Sequence, residues 1–208
     1  MTKQNGYLSV KGSRLIRLLQ GFTLALILIP AVGGTAQSDT TRLADLLSTE
    51  GAEQGHAPAQ RSLAWMYRQG EGTHKGAYVP QNYVEAVRWY RLAAEQGYAP
   101  AQLELGEMYY HGQGVAQDYF EAVRWYRMAA EQGYIPAHFN LGEMYYHGHG
   151  VPQDYVTSHM WYNLGAATGI KRALQGRDFV AQSLTPADIS EAQRRARVCL
   201  ASNYRNCD

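Results

Sequence analysis

Glutamate and histidine side chains recur at a fixed spacing along this 208-residue chain, and both types can do chemistry. Glu107 and His111 lie in the stretch "LGEMYYHG", and Glu143 and His147 lie in its second copy, 36 residues later. Carboxylates on neighbouring helices would stand roughly 10 Å apart, which loosely suits an inverting acid–base pair. The segment from His147 to His149 could chelate a surface metal ion. The first question is whether this repeated stretch is a site or a structural unit.

The sequence favours the structural interpretation. A dedicated zinc site needs at least three protein ligands held by further partners, whereas His147 and His149 supply two. An earlier copy of the turn has Gln69 and Glu71 at these places, so the turn does not require histidine. Solvated glutamates are far commoner than catalytic ones, and we expect both repeated glutamates to lie on a solvated helix face. We therefore predict no catalytic residue, no dedicated metal site and no cofactor.

The stretch belongs to an internal repeat of 36 residues, which is a period typical of stacked helical hairpins. We place full copies at 59–100, 101–136 and 137–172, the first enlarged by the insertion "THKGAY". A half copy at about 43–58 precedes them and predicts a capping helix. Apolar residues within each copy follow the helical period, so each copy predicts two amphipathic helices of three to four turns.

Glycines mark two different features of the predicted helices. Gly112 and Gly148 follow the first helices, where glycine can adopt a positive φ at little cost. Gly106 and Gly142 lie inside these helices, where glycine costs up to about 1 kcal/mol relative to alanine. We expect close helix crossing to offset this cost, with an alanine or a tryptophan of the partner helix in the space of the missing side chain. Ala64 takes the equivalent place in the first copy.

The motif "AxxxLGxMYxxGxGVxxDYxxAxxWYxxAAxQGxxxA" resembles the Sel-1-like repeat, a relative of the tetratricopeptide repeat, over roughly residues 43–170. The resemblance implies an all-α fold, a right-handed α-solenoid of helix-turn-helix repeats whose curved inner surface binds other proteins. Some cysteine-rich relatives are β-lactamase-like and carry a cysteine pair in each repeat. This chain lacks those cysteines, so that activity is not carried over.

The candidate binding residues are positions of the predicted first helices, which can vary without harming a solenoid core. Aromatic and acidic groups there suit a protein or peptide partner better than a small molecule. The two tyrosines of this set have an equally plausible alternative role, which is to fill the helix junctions. The candidates are Trp65, Arg68, Glu107, Tyr110, His111, Glu143, Tyr146 and His147.

Residues 173–208 are predicted to form a helical cap over the third copy. The second helix of that copy, "VTSHMWYNLGAATG", is more apolar than its counterparts, as expected if another element covers it. Thr185 is the predicted N-cap of the last helix. Cys199 and Cys207 are predicted to form a disulfide, since an exported chain with one close cysteine pair usually bonds it. A cluster of arginines in this helix is interpreted as a solvated face.

Residues 1–36 have the three-part pattern of a secretory signal. A basic segment ending at Arg17 precedes the apolar run "GFTLALILIPAV", and Gly34 and Ala36 are small residues at the spacing of a cleavage site. We predict cleavage after Ala36 and a periplasmic or secreted protein without a membrane span; retention of the segment as an anchor is the alternative.

Charge and motif content narrow the function. The chain has 19 basic and 18 acidic residues, but residues 1–36 hold basic residues and no acid, so the remaining body is mildly acidic. A nucleic-acid partner is therefore not expected. The serines and cysteines form no pattern typical of a catalytic nucleophile. No strand is evident that a glycine-rich, phosphate-binding loop could follow, so we propose no such loop. The leading hypothesis is a non-catalytic exported interaction module or scaffold, and the alternative is a cell-envelope hydrolase acting on peptidoglycan or β-lactams.

Overall fold

Paired α-helices follow the repeat along the part of the chain that the structure describes. The computed structural model describes residues 49–74, 77–205 and 207. Each helix packs against its neighbours in the sequence as far as α7, and α8 packs back onto α6. The helices are α1 (Ala57–Gln69), α2 (Tyr83–Glu95), α3 (Ala99–His111), α4 (Tyr119–Ala130), α5 (Ile135–His147), α6 (Tyr155–Ala166), α7 (Lys171–Ala181) and α8 (Pro186–Ala201).

The first helices of successive copies form one layer of the array, in which α1 contacts α3 and α5 contacts α7. Each second helix lies against the first helix of its own copy and the first helix of the next copy. The predicted all-α solenoid of helix-turn-helix repeats is therefore confirmed. Among the described helices, none combines the length and the apolar character that crossing a membrane requires.

Two expectations concern the N-terminal part of the chain. The predicted signal segment, residues 1–36, lies outside the described residues. The predicted half copy at about 43–58 is described from residue 49 onward. Residues 49–53 are helical there, and Ala52 is buried against the core of the first copies.

Local sequence determines where the helices begin and end. The second helices start after capping residues, as at Asp118, whose side chain accepts hydrogen bonds from the backbone N–H groups of Phe120 and Glu121. The first helices start with proline in the first turn, where no N–H partner is lost. They end at Gly112 and Gly148, whose φ values are 67° and 69°, so the predicted positive-φ joints are confirmed.

A ladder of side-chain amides ties each copy to the one before it. Gln60 and Gln102 each donate from Nε2 to the carbonyl eight residues earlier, at 3.2 and 3.1 Å. Gln96 and Gln132 in turn donate to the side-chain oxygens of Gln60 and Gln102. These buried carbonyls belong to the ends of the preceding helices, so each bond satisfies an acceptor that would otherwise be buried without a partner.

The helix-internal glycines do allow close crossing, but the expected neighbour was wrong. A Cβ atom on Gly106 would lie 2.6 Å from the ring of Tyr126, and one on Gly142 would lie 2.7 Å from the ring of Tyr162. A tyrosine, rather than an alanine or a tryptophan, therefore occupies the space. An aromatic ring covers the exposed backbone of a glycine with a large flat surface, and its hydroxyl can still reach a polar partner beyond it.

The insertion in the first copy forms a short hairpin, although no strand was expected from the sequence. β1 (Thr73–His74) pairs antiparallel with β2 (Ala77–Tyr78), with Thr73 opposite Tyr78. The hydroxyl of Tyr78 donates a hydrogen bond to the carbonyl of Gly70, which joins the hairpin to the end of α1. Two-residue strands carry too little alternation for a sequence pattern to reveal them.

The C-terminal residues cover the third copy as expected. α7 takes the place of a further first helix against α6, and α8 packs on another side of α6. Met160 is fully buried there, whereas Arg124 is exposed at the equivalent place of the second copy. Thr185 and Asp188 form a reciprocal capping box at the start of α8. The expected solvated arginines are partly engaged, because Glu191 pairs with both Arg194 and Arg195.

Cys199 and Cys207 are joined by a disulfide in the structure. The loop that it closes places the ring of Tyr204 on that of His138, with the centroids 5.2 Å apart. His138 in turn stacks on Trp161 at 5.6 Å. The closed loop therefore holds the tail against the start of α5 as well as against α6.

Candidate functional site

A cleft of about 240 Å³ lies between the first helices of the second and third copies. α3 and α5 supply most of its walls, and Tyr126 of α4 reaches it from behind, over Gly106. The cleft is lined by Glu107, Tyr110, His111, Tyr126, Phe139, Asn140, Glu143 and Met144.

The structure brings part of the predicted set together in this cleft. Four predicted residues line it, namely Glu107, Tyr110, His111 and Glu143. Trp65 lies elsewhere: it is 41% exposed on α1 and borders a separate shallow depression with Arg61, Ser62 and Met66.

Arg68 joins the cleft to the neighbouring helix through an ion-pair network. Its guanidinium lies 3.1 Å from the Glu107 carboxylate and also pairs with Glu104, one turn earlier on α3. Arg61 adds a second cation at 3.1 Å from Glu104. Arg68 and Glu104 keep only 20% and 15% of their side-chain surface exposed, so this network is screened by solvent far less than a surface pair.

Glu107 is only partly solvated. Its side chain is 30% exposed. Burial raises the pKa of Glu107, the Glu104 carboxylate raises it further, and Arg68 opposes both effects. The repeat pattern indicates which helix face carries Glu107 but not how closely α1 and α5 enclose that face.

The phenol group of Tyr162, on α6, holds the Glu143 side chain in place. The hydroxyl of Tyr162 donates a hydrogen bond to Oε1 of Glu143, and Nε2 of His147 lies 3.6 Å from Oε2. Burial raises the pKa of Tyr162, and the hydrogen bond to Glu143 raises it further. Tyr162 therefore stays protonated and remains a donor, which orients the carboxylate at the cleft wall.

The two candidate tyrosines have different surroundings. Tyr110 lines the cleft, and its ring also packs at 5.3 Å from Tyr119, so it combines the two roles that the sequence left open. Tyr146 packs on Tyr155 at 5.5 Å and on Phe179 of α7 at 5.7 Å, which is the helix-junction role. α7 therefore covers Tyr146 on the side that, for Tyr110 one copy earlier, faces the cleft.

His147 and His149 take part in ring stacking. His149 stacks on Tyr119 with centroids 4.4 Å apart, and His147 stacks on His149 at 5.3 Å. Within residues 49–74, 77–205 and 207, no three histidine, cysteine, aspartate or glutamate residues are placed to hold one metal ion. The hydrolase alternative gains no support from this arrangement.

Several residues of the site were missed by the sequence reasoning. Glu104 and Asn140 occupy one register position, a turn before the repeated glutamates, and that spacing could have revealed them. For Tyr126, the sequence pattern indicated only a position in the hydrophobic core. Burial raises its pKa, while its hydroxyl bonds to Asn140 and borders the cleft. Phe139 replaces Leu103 of the second copy, a change that the pattern does not distinguish from core variation.

The sequence matches a model of a known protein family. The Sel1 repeat model matches residues 57–98, 99–134 and 135–169, which together make up more than half of the chain. The chain belongs to the Sel1 repeat family. Sel1 repeat proteins generally mediate protein interactions and are typically non-catalytic scaffolds.

Two solved Sel1-type structures resemble this protein. A Sel1 repeat protein from Oxalobacter formigenes is 38% identical, with a TM-score of 0.55 over 65% of this chain and 96% of that chain. A protective antigen of uropathogenic Escherichia coli strains that displays an SLR fold is 27% identical, with a TM-score of 0.57 over 76% of this chain. This chain spans 41% of that antigen. No curated protein matches the sequence.

The cleft has a definite place in the Sel1 array. It lies between the first helices of the second and third matched repeats, 99–134 and 135–169. At the equivalent place between the first and second repeats, Arg61 and Arg68 pair with the glutamates of α3. Within the cleft, Glu107 is thus paired with an arginine of the preceding helix, whereas α3 carries no arginine that could pair with Glu143.

Proposed function

We propose that this Sel1 repeat protein is an exported, non-catalytic module that binds a protein or peptide partner on the surface of its first helices. The observation that carries the proposal is the cleft between α3 and α5, where Glu107, Glu143 and Tyr110 border one space. Aromatic anchors combined with oriented polar groups are the usual content of a peptide-binding surface.

Export rests on two sequence features. The pattern of residues 1–36 is that of a secretory signal, and a bonded pair such as Cys199 and Cys207 persists in oxidising compartments. Cell fractionation followed by N-terminal sequencing tests this part. We expect the mature protein in the periplasm or medium, beginning at Gln37. A cytosolic protein with an intact Met1 would contradict export, and a membrane-bound one would support the anchor alternative.

Partner binding is tested by crosslinking in the native cell envelope, followed by mass spectrometry. The test variant replaces two cleft acids and one cleft aromatic, as Glu107→Gln, Tyr110→Ala and Glu143→Gln. The matched control removes the same types of group from exposed positions on the second helices and at the C-cap of α4, as Glu95→Gln, Phe120→Ala and Glu131→Gln. Each of these control side chains is exposed.

We expect the control triple variant to retain the wild-type crosslinked partner and the cleft variant to lose it. Circular dichroism and a thermal melt establish that both variants are folded. If a folded cleft variant captures the same partner as efficiently as the wild type, the surface that we propose is wrong.

A further inference from the structure

The volume of the cleft indicates what size of group it accepts. Pockets for drug-sized ligands are about 300–1,000 Å³, and this cleft is about 240 Å³. A single long side chain fits such a space better than a whole small molecule. The cleft is also partly open to solvent, so a side chain can enter while its backbone stays on the surface.

The charges around the cleft do not balance. Glu104, Glu107 and Glu143 carry three carboxylates, whereas Arg61 and Arg68 supply two guanidinium groups. Both of those arginines contact Glu104 or Glu107, on the α1 side. The polar neighbours of Glu143 are the Tyr162 hydroxyl and the His147 imidazole, whose Nε2 lies 3.6 Å away, and neither is an arginine or a lysine. The carboxylates therefore outnumber the arginines by one, and Glu143 is the carboxylate that no arginine of this network contacts.

The remaining walls suit the stem of a basic side chain. Tyr110, Phe139 and Met144 give the cleft apolar surface, against which a chain of methylene groups can pack. Aromatic rings also attract a cation placed near their faces. The same lining would disfavour an acidic side chain, since both glutamates would repel it.

We propose that this cleft binds one lysine or arginine side chain of the partner peptide. The charged group is placed beside Glu143, and its methylene stem lies along Tyr110 and Phe139. This inference rests on the proposed binding function, and it specifies the residue type that the site selects.

The test is an NMR titration of the ¹⁵N-labelled protein with blocked tripeptides. The probes are Ac-Ala-Lys-Ala-NH₂ and Ac-Ala-Arg-Ala-NH₂. The matched neutral peptides carry norleucine or citrulline instead, which keep the side-chain length without the charge. We expect the basic probes to shift the amide signals of Phe139 and Glu143 in a saturable way, and the neutral probes to bind at least about tenfold more weakly.

Glu143→Gln is the decisive variant, because its amide oxygen can still accept the hydrogen bond from Tyr162. We expect it to weaken the binding of both basic probes about tenfold, whereas Glu95→Gln on α2 leaves the binding unchanged. Stronger binding of one basic probe would identify lysine or arginine as the preferred residue. Equal binding of charged and neutral probes, no saturable shift at the cleft, or unchanged binding by Glu143→Gln would each overturn the proposal.

The two proposals fail separately. If the crosslinked partner is lost from the cleft variant but the tripeptides show no charge preference, binding on this surface stands and the basic-residue inference is wrong. If no partner is captured from the envelope and the tripeptides bind as expected, the chemistry of the cleft stands and the proposed function is wrong.

Discussion

A Cβ atom on Gly142 would lie 2.7 Å from the ring of Tyr162, so the absence of a side chain on α5 creates the space that this ring fills. The ring passes over α5, and its hydroxyl donates to Glu143, the next residue of that helix. Gly106 and Tyr126 repeat the arrangement one copy earlier, where Tyr126 borders the cleft. Packing inside the second and third repeats therefore places a tyrosine hydroxyl at the cleft or against one of its glutamates.

Substitution of Gly142 by alanine should destabilise the fold. Alanine improves helix propensity by about 1 kcal/mol, but its methyl group would overlap the Tyr162 ring, and overpacking typically costs about 1–3 kcal/mol. We expect a net loss of about 1 kcal/mol in the free energy of unfolding, measured by urea denaturation. The reciprocal control is Ala64→Gly, where no overlap is relieved and helix propensity alone lowers stability. A Gly142→Ala protein more stable than the wild type would contradict this packing.

The stack of Tyr204, His138 and Trp161 should make stability depend on pH. Burial lowers the pKa of His138 to about 4, whereas an unfolded histidine titrates near 6.5. Between these values the unfolded chain binds a proton that the native protein does not, so stability falls as the pH drops from 6.5 to 4. The loss of unfolding free energy attributable to His138 reaches about 3 kcal/mol once the pH is below both pKa values. His159, whose pKa burial also lowers, adds to the same trend.

His138→Gln is the matched variant, because Gln102 makes the equivalent hydrogen bond in the preceding copy. We expect this variant to lose much less stability than the wild type between pH 7 and pH 4.5, with His159 accounting for part of the remainder. Urea midpoints at the two pH values measure the difference. Identical pH dependence in both proteins would exclude His138 as its source.

Reduction of the disulfide should loosen the tail. Cys199 and Cys207 are eight residues apart, and closing a loop of this size stabilises the native state by about 2–3 kcal/mol. We expect a reductant to lower the melting temperature of the wild type. The double variant Cys199→Ser, Cys207→Ser should melt at the reduced temperature and be insensitive to reductant. A reductant effect of equal size on the double variant would show that it acts elsewhere.

Replacing Arg68 by methionine should destabilise the protein at neutral pH, because Glu104 and Glu107 would lose their shared cation. We expect a loss of about 1–3 kcal/mol, since these groups are largely shielded from solvent. The pKa of Glu107 is already raised by burial and would rise further. Protonation of the native state then removes the repulsion, so the loss should shrink as the pH falls toward 4.

Arg194→Met is the control for this variant, because Arg194 pairs with Glu191 on an exposed surface. Solvent screens such a pair strongly, and we expect only a small loss of stability. Urea denaturation of both variants at pH 7 and pH 4.5 checks the comparison. Equal losses for Arg68→Met and Arg194→Met at pH 7 would mean that the inner network contributes no more than a surface pair.

The sequence by itself determined the repeat, the paired helices, their caps and their glycine ends. These features depend on residues within about four positions of one another, and hydrophobic period and capping chemistry act over that range. Gly112, Asp118 and Thr185 therefore behave as their types predict. The pairing of Cys199 with Cys207 was also predictable, since no other cysteine is present.

Only the tertiary structure decided which side chains meet. Trp65 shares a register position with Glu107 and Glu143 but stands apart from the cleft, and Tyr126 joins the cleft from a different helix. A repeat pattern assigns equivalent residues to equivalent faces, whereas the depth and charge of a cleft depend on what the adjacent helix carries. Arginines of α1 neutralise the glutamates on one side of α3, whereas α3 itself carries no arginine to pair with Glu143 of α5, which leaves that side of the cleft acidic.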